Sequence, residues 1–449
     1  MKESSNTVYS RTCLVGHLNA KSGLTSAVLE KRPDVWSRHQ LSDGEFESLN
    51  RTYYTAHIIS MAETGVKGIE EKRPESLKGV KRYSLSLKRT EKLMLLRKYD
   101  VSLGKVVALL DPYPATIKDV SVWFFSCDVI LFSIEIDDSG VSLNDLTMMH
   151  GQWKNWTASY HYFGTAELGK TLEPLTSLTA EETPDHLTFQ NTKMRQYQVV
   201  QVNESVVRDN LLYELASHSP VGVVADNNPT RSFKPADDYF NKIIEDNTVS
   251  VFSDWKALAL NDTFTVLAID EKYQESEQDS SGGGYRFFEM LYMRCLVQEY
   301  YCFSQNNAYR DRLQMKRPNE MVKEIEMMER YYFYDDLSYD FLPPLIYNAM
   351  VKGLGLESDR RELIGRVKQA LGVEKKKADD KRQSRNNQVV ATVKIFAVAS
   401  VVWTAREMVK KIIPSLDDKL WYNVSVFAIA IILTVILLCI TRNPHKDGK

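Results

Sequence analysis

Arginine and lysine side chains are concentrated between residues 78 and 98, where eight of them occur. Arg82 and Arg89 lie inside this basic run. An arginine guanidinium presents a planar fork of donors that matches the oxygens of a phosphate group. We therefore predict that Arg82 and Arg89 bind a phosphate or nucleotide ligand. The alternative is that the run forms a solvated surface, which is the commoner role of such charges.

The acidic residues and histidines form no comparably clear centre. Glu135, Asp137 and Asp138 could hold a divalent cation, but aspartates next to a glycine are typical of a turn. His150 and His161 flank two tryptophans, where packing or hydrogen bonding is commoner than catalysis. The five cysteines include no C-x-x-C pair, so neither a disulfide framework nor a zinc site is predicted. Without a P-loop, G-x-S-x-G or H-E-x-x-H motif, we expect no enzyme and no catalytic residues. We assign no metal-binding residues, and Mg²⁺ stays an alternative ligand.

Two apolar stretches near the C-terminus predict membrane-spanning helices. Residues 421–440 carry no formal charge and would span roughly 30 Å as a helix, the hydrocarbon thickness of a bilayer. Residues 389–405 are a second candidate, with Lys394 as their single charge. The connector 406–420 is short and contains Pro414, so the two helices would form a hairpin. For residues 421–440 the alternative is a buried core helix.

Basic residues around the first apolar stretch indicate its orientation. Six lysines and arginines lie between residues 375 and 385, against four in the connector. The positive-inside rule therefore places the approach to the first helix in the cytoplasm, and a second span returns the C-terminus to that side. We expect a multi-pass protein of the cell inner membrane with both termini cytoplasmic. If only the second helix spans, the protein is tail-anchored.

The chain ahead of the membrane segments combines strands with helices. Residues 120–136 are rich in β-branched and aromatic side chains, which predicts one long or two short buried strands. A turn follows, and Ser142 and Asp145 have the spacing of a helix N-terminal capping box. Further strands are expected at residues 13–15, 194–202, 221–225, 248–252 and 263–269, and helices within 45–62, 86–103, 285–313, 319–334, 341–351 and 359–373.

Residues 374–388 are polar throughout and contain neither proline nor glycine. If they are helical, they continue without a break into the first apolar stretch and form a rod of about 50 Å. We therefore predict an α+β protein of five segments: a cytosolic α/β domain at 1–270, a flexible connection at 271–284, a helical stalk at 285–388, a two-helix transmembrane region at 389–441 and a basic cytoplasmic tail at 442–449. The net charge of -2 argues against a nucleic-acid partner.

This order of elements resembles the CorA family of magnesium transporters. The local likeness is strongest at Arg385, Asn386, Asn387, Val389 and Val390, which resemble the junction where that family's stalk enters the membrane. The resemblance implies a homo-oligomer, a pentamer in the family, because one hairpin cannot enclose water. Spacings of three and four along the first apolar stretch predict a pore lining of Asn387, Ala391, Lys394, Val398, Val401 and Ala405.

The chain departs from the family at the end of the first apolar stretch. Transporters of the family carry Gly-Met-Asn there, whereas residues 405–408 read Ala-Arg-Glu-Met. Divergent CorA-like proteins without that motif include membrane effectors of type III CRISPR systems, which respond to a second messenger made from S-adenosylmethionine and ATP (SAM-AMP). The resemblance thus implies an antiviral channel or effector gated by an adenine nucleotide. The alternatives are a divalent-ion (Mg²⁺) transporter and an enzyme or scaffold anchored to the bilayer.

Overall fold

The computed structural model describes residues 7–18, 25–39, 81–86, 94–102, 105–125, 129–154, 194–225, 234–269, 285–311, 337–338 and 340–412, with isolated positions within 320–326 and 424–432. The chain divides into two compact units, Met1–Gly365 and Arg366–Lys449. A β-sheet and several helices form the first unit, and one long helix continues into the second. This confirms the mixed class of helices and strands. The connection predicted at 271–284 lies outside the described residues.

Ten strands form one sheet in the described part of the chain: β1 Thr7–Leu18, β2 Trp36–Arg38, β3 Lys81–Leu85, β4 Met94–Ser102, β5 Lys105–Phe124, β6 Ile130–Asp137, β7 Arg195–Val202, β8 Thr248–Val249, β9 Trp255–Leu260 and β10 Thr263–Ala268. Their order across the sheet is β2, β3, β5, β6, β1, β7, β10, β9, β8, and β4 pairs with β5. Paired strands are antiparallel except β7 and β10, which are parallel.

The described helices are α1 Ser26–Glu30, α2 Leu143–Trp153, α3 Asp209–Ser217, α4 Asp237–Asn247, α5 Tyr285–Asp311, α6 Leu342–Gly353 and α7 Leu356–Ile412. The start of α2 follows the predicted capping box, because the Asp145 N–H donates to Ser142 Oγ at 3.2 Å. Helix α7 is continuous through the polar residues 374–388 and the apolar residues 389–405. The predicted uninterrupted rod is therefore confirmed.

Both faces of the sheet are covered at its centre. In β6 the seven residues 130–136 are all buried, as expected of a strand that packs on both sides. Successive side chains point to opposite faces, so Phe132 and Ile134 lie on one face and Ser133 and Glu135 on the other. We call the face with Phe132 and Ile134 the α2 face, and the face with Ser133 and Glu135 the α5 face, after a helix that packs on each.

The α2 face carries the main hydrophobic core. Side chains from the sheet meet apolar residues of α2 and α3 there; the cluster includes Leu14, Val120, Phe132, Ile134, Leu146, Met149, Leu211 and Leu215. On the α5 face, His17 stacks on Tyr300 at a ring-centroid distance of 4.6 Å. Arg195 of β7 also pairs with Glu299 of α5, its Nε donating to Oε2 at 3.0 Å. These contacts attach α5 to β1 and β7.

Two local predictions for the sheet region are wrong, and a third is confirmed only in part. Residues 94–102, expected within a helix, form β4 and pair with β5, because partner strands can override weak helical spacing. Residues 221–225 form turns, held in part by the Val224 N–H donating to Glu214 Oε1 at 2.8 Å. The strand expected at 248–252 is only Thr248–Val249. Strand β9 was not predicted, and it pairs with β10.

Candidate functional site

Arg82 lies in β3 on the α5 face, opposite Trp123 of β5. Its side chain is only 4% exposed. Nη2 donates to Asp119 Oδ2 at 3.0 Å, Nε donates to Ser121 Oγ at 3.0 Å, and the guanidinium carbon lies 4.3 Å from the centroid of the Trp123 ring. An arginine this deeply buried needs a counter-charge. Asp119 provides it, and the aromatic ring adds a cation–π contact.

Serine hydroxyls surround this ion pair. Ser84 Oγ lies 3.0 Å from Ser121 Oγ, and the Trp123 indole N–H donates to Ser133 Oγ at 3.0 Å. We call the group the Arg82 cluster; its members are Arg82, Ser84, Asp119, Ser121, Trp123 and Ser133. A guanidinium, an aromatic ring and hydroxyls are groups that bind nucleotides. A phosphate at this place would first have to replace Asp119. The second predicted ligand contact, Arg89, lies outside the described residues.

The acidic trio considered from the sequence is divided between the two faces. On the α5 face, Arg11 Nη1 lies 3.8 Å from Glu135 Oε1 and 3.7 Å from Asp137 Oδ2, and Lys118 Nζ lies 3.3 Å from the same Asp137 oxygen. Burial by itself would raise the pKa of Asp137, but hydrogen bonds from Ser139 and the Arg11 charge lower it below its usual value. In the described residues no three His, Cys, Asp or Glu side chains form a group able to hold a metal ion.

Asp138, the third member of the trio, is completely buried beside His150 of α2. His150 Nε2 lies 2.7 Å from Asp138 Oδ2, and the Thr12 hydroxyl donates to the same oxygen at 2.9 Å. Thr12 Oγ1 is also 3.0 Å from His150 Nε2. A nucleophile–histidine–acid relay needs the hydroxyl and the carboxylate on different imidazole nitrogens. Here both approach Nε2, so the geometry does not support a catalytic triad.

Two glutamines of β7 extend this network under α3. His150 Nδ1 lies 3.0 Å from Gln198 Oε1, an acceptor, and 3.0 Å from Gln196 Nε2, a donor. His218 Nε2 lies 3.0 Å from Gln196 Oε1. Burial, followed by the charges of Lys154 and His150, lowers the pKa of His218 well below its usual value. The network joins α2 and α3 to the sheet.

Helix α7 is long and apolar enough, from Leu356 to Met408, to cross a membrane by length and composition. It is the one such helix among the described residues. None of its most apolar window of 18 residues is buried. The second predicted span, 421–440, falls mostly outside the described residues. Its few described positions, between 424 and 432, are helical, and most are exposed.

The six residues predicted to line a pore all lie in α7. They differ in exposure: Ala391, Lys394 and Val398 are half-buried, whereas Asn387, Val401 and Ala405 are exposed. Their pore-lining role stays a prediction. Beyond Ala405, the last of these six residues, α7 continues as helix to Ile412.

No protein-family model matches this chain, and the searches of curated proteins and of solved structures found no match. The likeness to CorA proteins therefore depends on the sequence pattern and element order. Sequence reasoning missed the pairing of His150 with the two β7 glutamines. The signal for it was available, since Gln196, Gln198 and the buried Val200 alternate onto one face of a strand whose opposite face carries Tyr197.

Proposed function

We propose that the protein is a CorA-like oligomeric membrane channel or effector, gated by an adenine-nucleotide second messenger of the SAM-AMP type bound to its cytosolic part. One observation carries the membrane part of this proposal. Helix α7 begins at Leu356, which like Leu363 is buried in the first unit, and runs unbroken to Ile412. A single helix therefore connects the sheet-containing unit to an apolar segment.

The uncovered apolar surface of α7 supports insertion into a bilayer. Phe396 is 71% exposed and Trp403 is 61% exposed, with Val389, Val393 and Val401 also exposed. Removing one large apolar side chain from water stabilises a protein by about 1.5–3 kcal/mol. A helix that leaves many of them uncovered needs another apolar environment. Arg385 and Arg406 bound this segment, and their separation of 21 residues gives about 32 Å of helix, close to the bilayer's hydrocarbon thickness.

The multi-pass topology is the finer part of the proposal. Residues 421–440 would return the chain to the cytoplasmic side of the cell inner membrane, and several subunits, five by family likeness, would surround a pore. The pore lining we propose is Asn387, Ala391, Lys394, Val398, Val401 and Ala405. A ring of Lys394 side chains would disfavour cations. Together with the absence of Gly-Met-Asn at residues 405–408, this makes magnesium transport the weaker alternative.

For the ligand we propose the Arg82 cluster. Its arginine would bind a phosphate of the messenger. Arg82 covers the Trp123 ring at 4.3 Å, so a base would stack on that ring only after Arg82 moves with the phosphate. The ligand would replace Asp119 as the partner of Arg82, so a bound state and a free state would differ in one buried ion pair. A ligand shifts a conformational equilibrium only by its preference for one state. The exchange of Asp119 for the ligand's phosphate as the partner of Arg82 would make the ligand prefer the bound conformation.

The test is a flux assay on the full chain in proteoliposomes, with and without the messenger. We expect messenger-dependent release of a trapped anionic dye, lost in Arg82→Gln and slowed in Lys394→Glu. Uptake of Mg²⁺ without any nucleotide would instead support the transporter. If the protein is integral to the membrane but no solute crosses under either condition, the channel is rejected and the anchored enzyme or scaffold remains.

A further inference from the structure

Three basic side chains form a line on the polar part of α7. Lys377, Lys381 and Arg385 follow one another at intervals of four residues and are all exposed, so they lie on the same side of the helix. We call them the basic stripe. Asp379, two positions after Lys377, points about 160° away around the helix axis at 3.6 residues per turn. Asp380 lies about 60° from Lys377 around the axis, about 100° from Lys381 and about 140° from Arg385. Lys381 and Arg385 are therefore the members of the stripe that are farthest from these two negative charges.

The basic stripe is in line with uncovered apolar residues farther along α7. Eighteen residues make five turns of an α-helix, so Ile395 lies directly beyond Lys377 and Trp403 directly beyond Arg385. Ile395 is 40% exposed and Trp403 is 61% exposed. The half-buried residues Ala391, Lys394 and Val398 lie on another side. The stripe thus continues the side of α7 that nothing described in the chain covers.

We propose that the basic stripe binds the headgroups of anionic phospholipids at the cytoplasmic surface. The inference rests on the proposed insertion of α7, which places Val389 at the edge of the hydrocarbon. At the helical rise, Arg385 is about 6 Å, Lys381 about 12 Å and Lys377 about 18 Å before Val389. The headgroup layer is roughly 5–7 Å thick, and the screening length is about 8 Å at physiological salt. Arg385 therefore contributes most and Lys377 least.

The size of the effect follows from the number of charges. A basic side chain close to an anionic surface raises affinity roughly fivefold. Three equal contributions would raise the affinity for an anionic surface by about 100-fold, and the greater distance of Lys377 from the surface reduces this gain. We expect a 10-fold to 100-fold preference, at about 0.15 M salt, for anionic over zwitterionic lipid due to the stripe. The preference should almost disappear at 1 M salt, where the screening length is about 3 Å.

The experiment measures binding of fluorescent phosphatidylglycerol and phosphatidylcholine to the full chain in neutral detergent. The test variant is Lys377→Gln/Lys381→Gln/Arg385→Gln. The matched control, Lys375→Gln/Lys376→Gln/Arg382→Gln, removes the same charge from the same exposed segment but off the stripe. We expect affinity for phosphatidylglycerol to fall 10-fold to 100-fold in the test variant and less than threefold in the control. Among single changes, Arg385→Gln should have the largest effect.

Equal losses in the test variant and in the control would overturn the proposal, because net charge alone would then explain binding. Competition by inorganic pyrophosphate at constant ionic strength, abolished in the same variant, would also overturn it by showing a soluble phosphate site. Alkaline carbonate extraction separates the two levels of inference. Release of the full chain from membranes rejects the proposed membrane function, whereas retention with unchanged lipid preference in the test variant rejects only the stripe.

Discussion

Replacing Gly16 by alanine should destabilise the sheet strongly. Gly16 lies in β1 directly opposite Phe132 of β6. A Cβ added at Gly16 would lie 2.0 Å from Phe132 Cε1 and 2.3 Å from Cζ, whereas carbon atoms in contact normally keep about 3.5–4.0 Å. The ring would have to move by more than 1 Å, roughly. Phe132 is fully buried in the core on the α2 face, so little space is available for that movement.

The expected cost is about 3 kcal/mol, at the upper end of the range for overpacked cores. With an unfolding entropy of about 2.1 cal/mol/K per residue, a unit the size of Met1–Gly365 should lose roughly 4 °C in Tm. The measurement is thermal unfolding of the full chain in detergent, followed by tryptophan fluorescence. Gly365→Ala is the matched control, because its Cβ meets nothing within 4 Å. In helix α7 that change should stabilise by about 0.5–1 kcal/mol.

A second variant isolates the cause. Phe132→Leu should lower stability by itself because it removes buried apolar volume. In the double variant Gly16→Ala/Phe132→Leu the added methyl group has room, so the two costs should be clearly less than additive. If Gly16→Ala melts at the wild-type temperature, or if the two effects simply add, the close packing of Gly16 against the Phe132 ring is not as described.

Three further predictions concern buried polar groups. Asp119→Asn leaves the Arg82 guanidinium without its counter-charge and should lower the free energy of unfolding by about 3 kcal/mol or more. The double variant Arg82→Met/Asp119→Asn should recover much of that loss in thermal unfolding. Equal Tm values for the single and double variants would refute the pairing. Burial lowers the pKa of His17 to about 4. As pH falls below about 6.5, the unfolded chain binds a proton at His17 before the folded chain does, so stability should decline between about pH 6.5 and 4. A series of Tm measurements against pH should show a smaller decline in His17→Phe, which keeps a ring against Tyr300. Burial also raises the pKa of the Cys302 thiol to about 12, so a thiol reagent at pH 8 should label this cysteine in unfolded but not in folded protein, and rapid labelling of Cys302 in the folded chain would contradict its burial.

Local patterns predicted several elements of this protein well. The apolar run at 120–136 became the last five residues of β5 and most of β6, the capping box at Ser142 starts α2, and α5 occupies most of its predicted range. These features depend on residues close together in the chain, whose side-chain periods and capping hydrogen bonds are properties of the segment itself. For the same reason the continuity of α7 could be predicted from residues 374–405 alone.

The sheet order and the candidate sites depended on contacts between distant residues. Strand β4 exists because β5 pairs with it, and the parallel pairing of β7 with β10 joins residues far apart in sequence. Arg82 looked like one member of a solvated basic run, and only the pairing of β3 with β5 places it over Trp123 and beside Asp119.

The sequence by itself determined which segments are apolar, which strands and helices have a clear side-chain period, and where a helix could cross a bilayer, since each of these is a property of neighbouring residues. Tertiary structure alone decided which polar and charged side chains meet. Asp138 and His150 are twelve positions apart and meet because β6 and α2 bring them together under the sheet, while Glu135 and Asp137 turn to the opposite face toward Arg11. Whether a charged side chain is paired or available to a ligand depends on burial and on partners that no local pattern specifies.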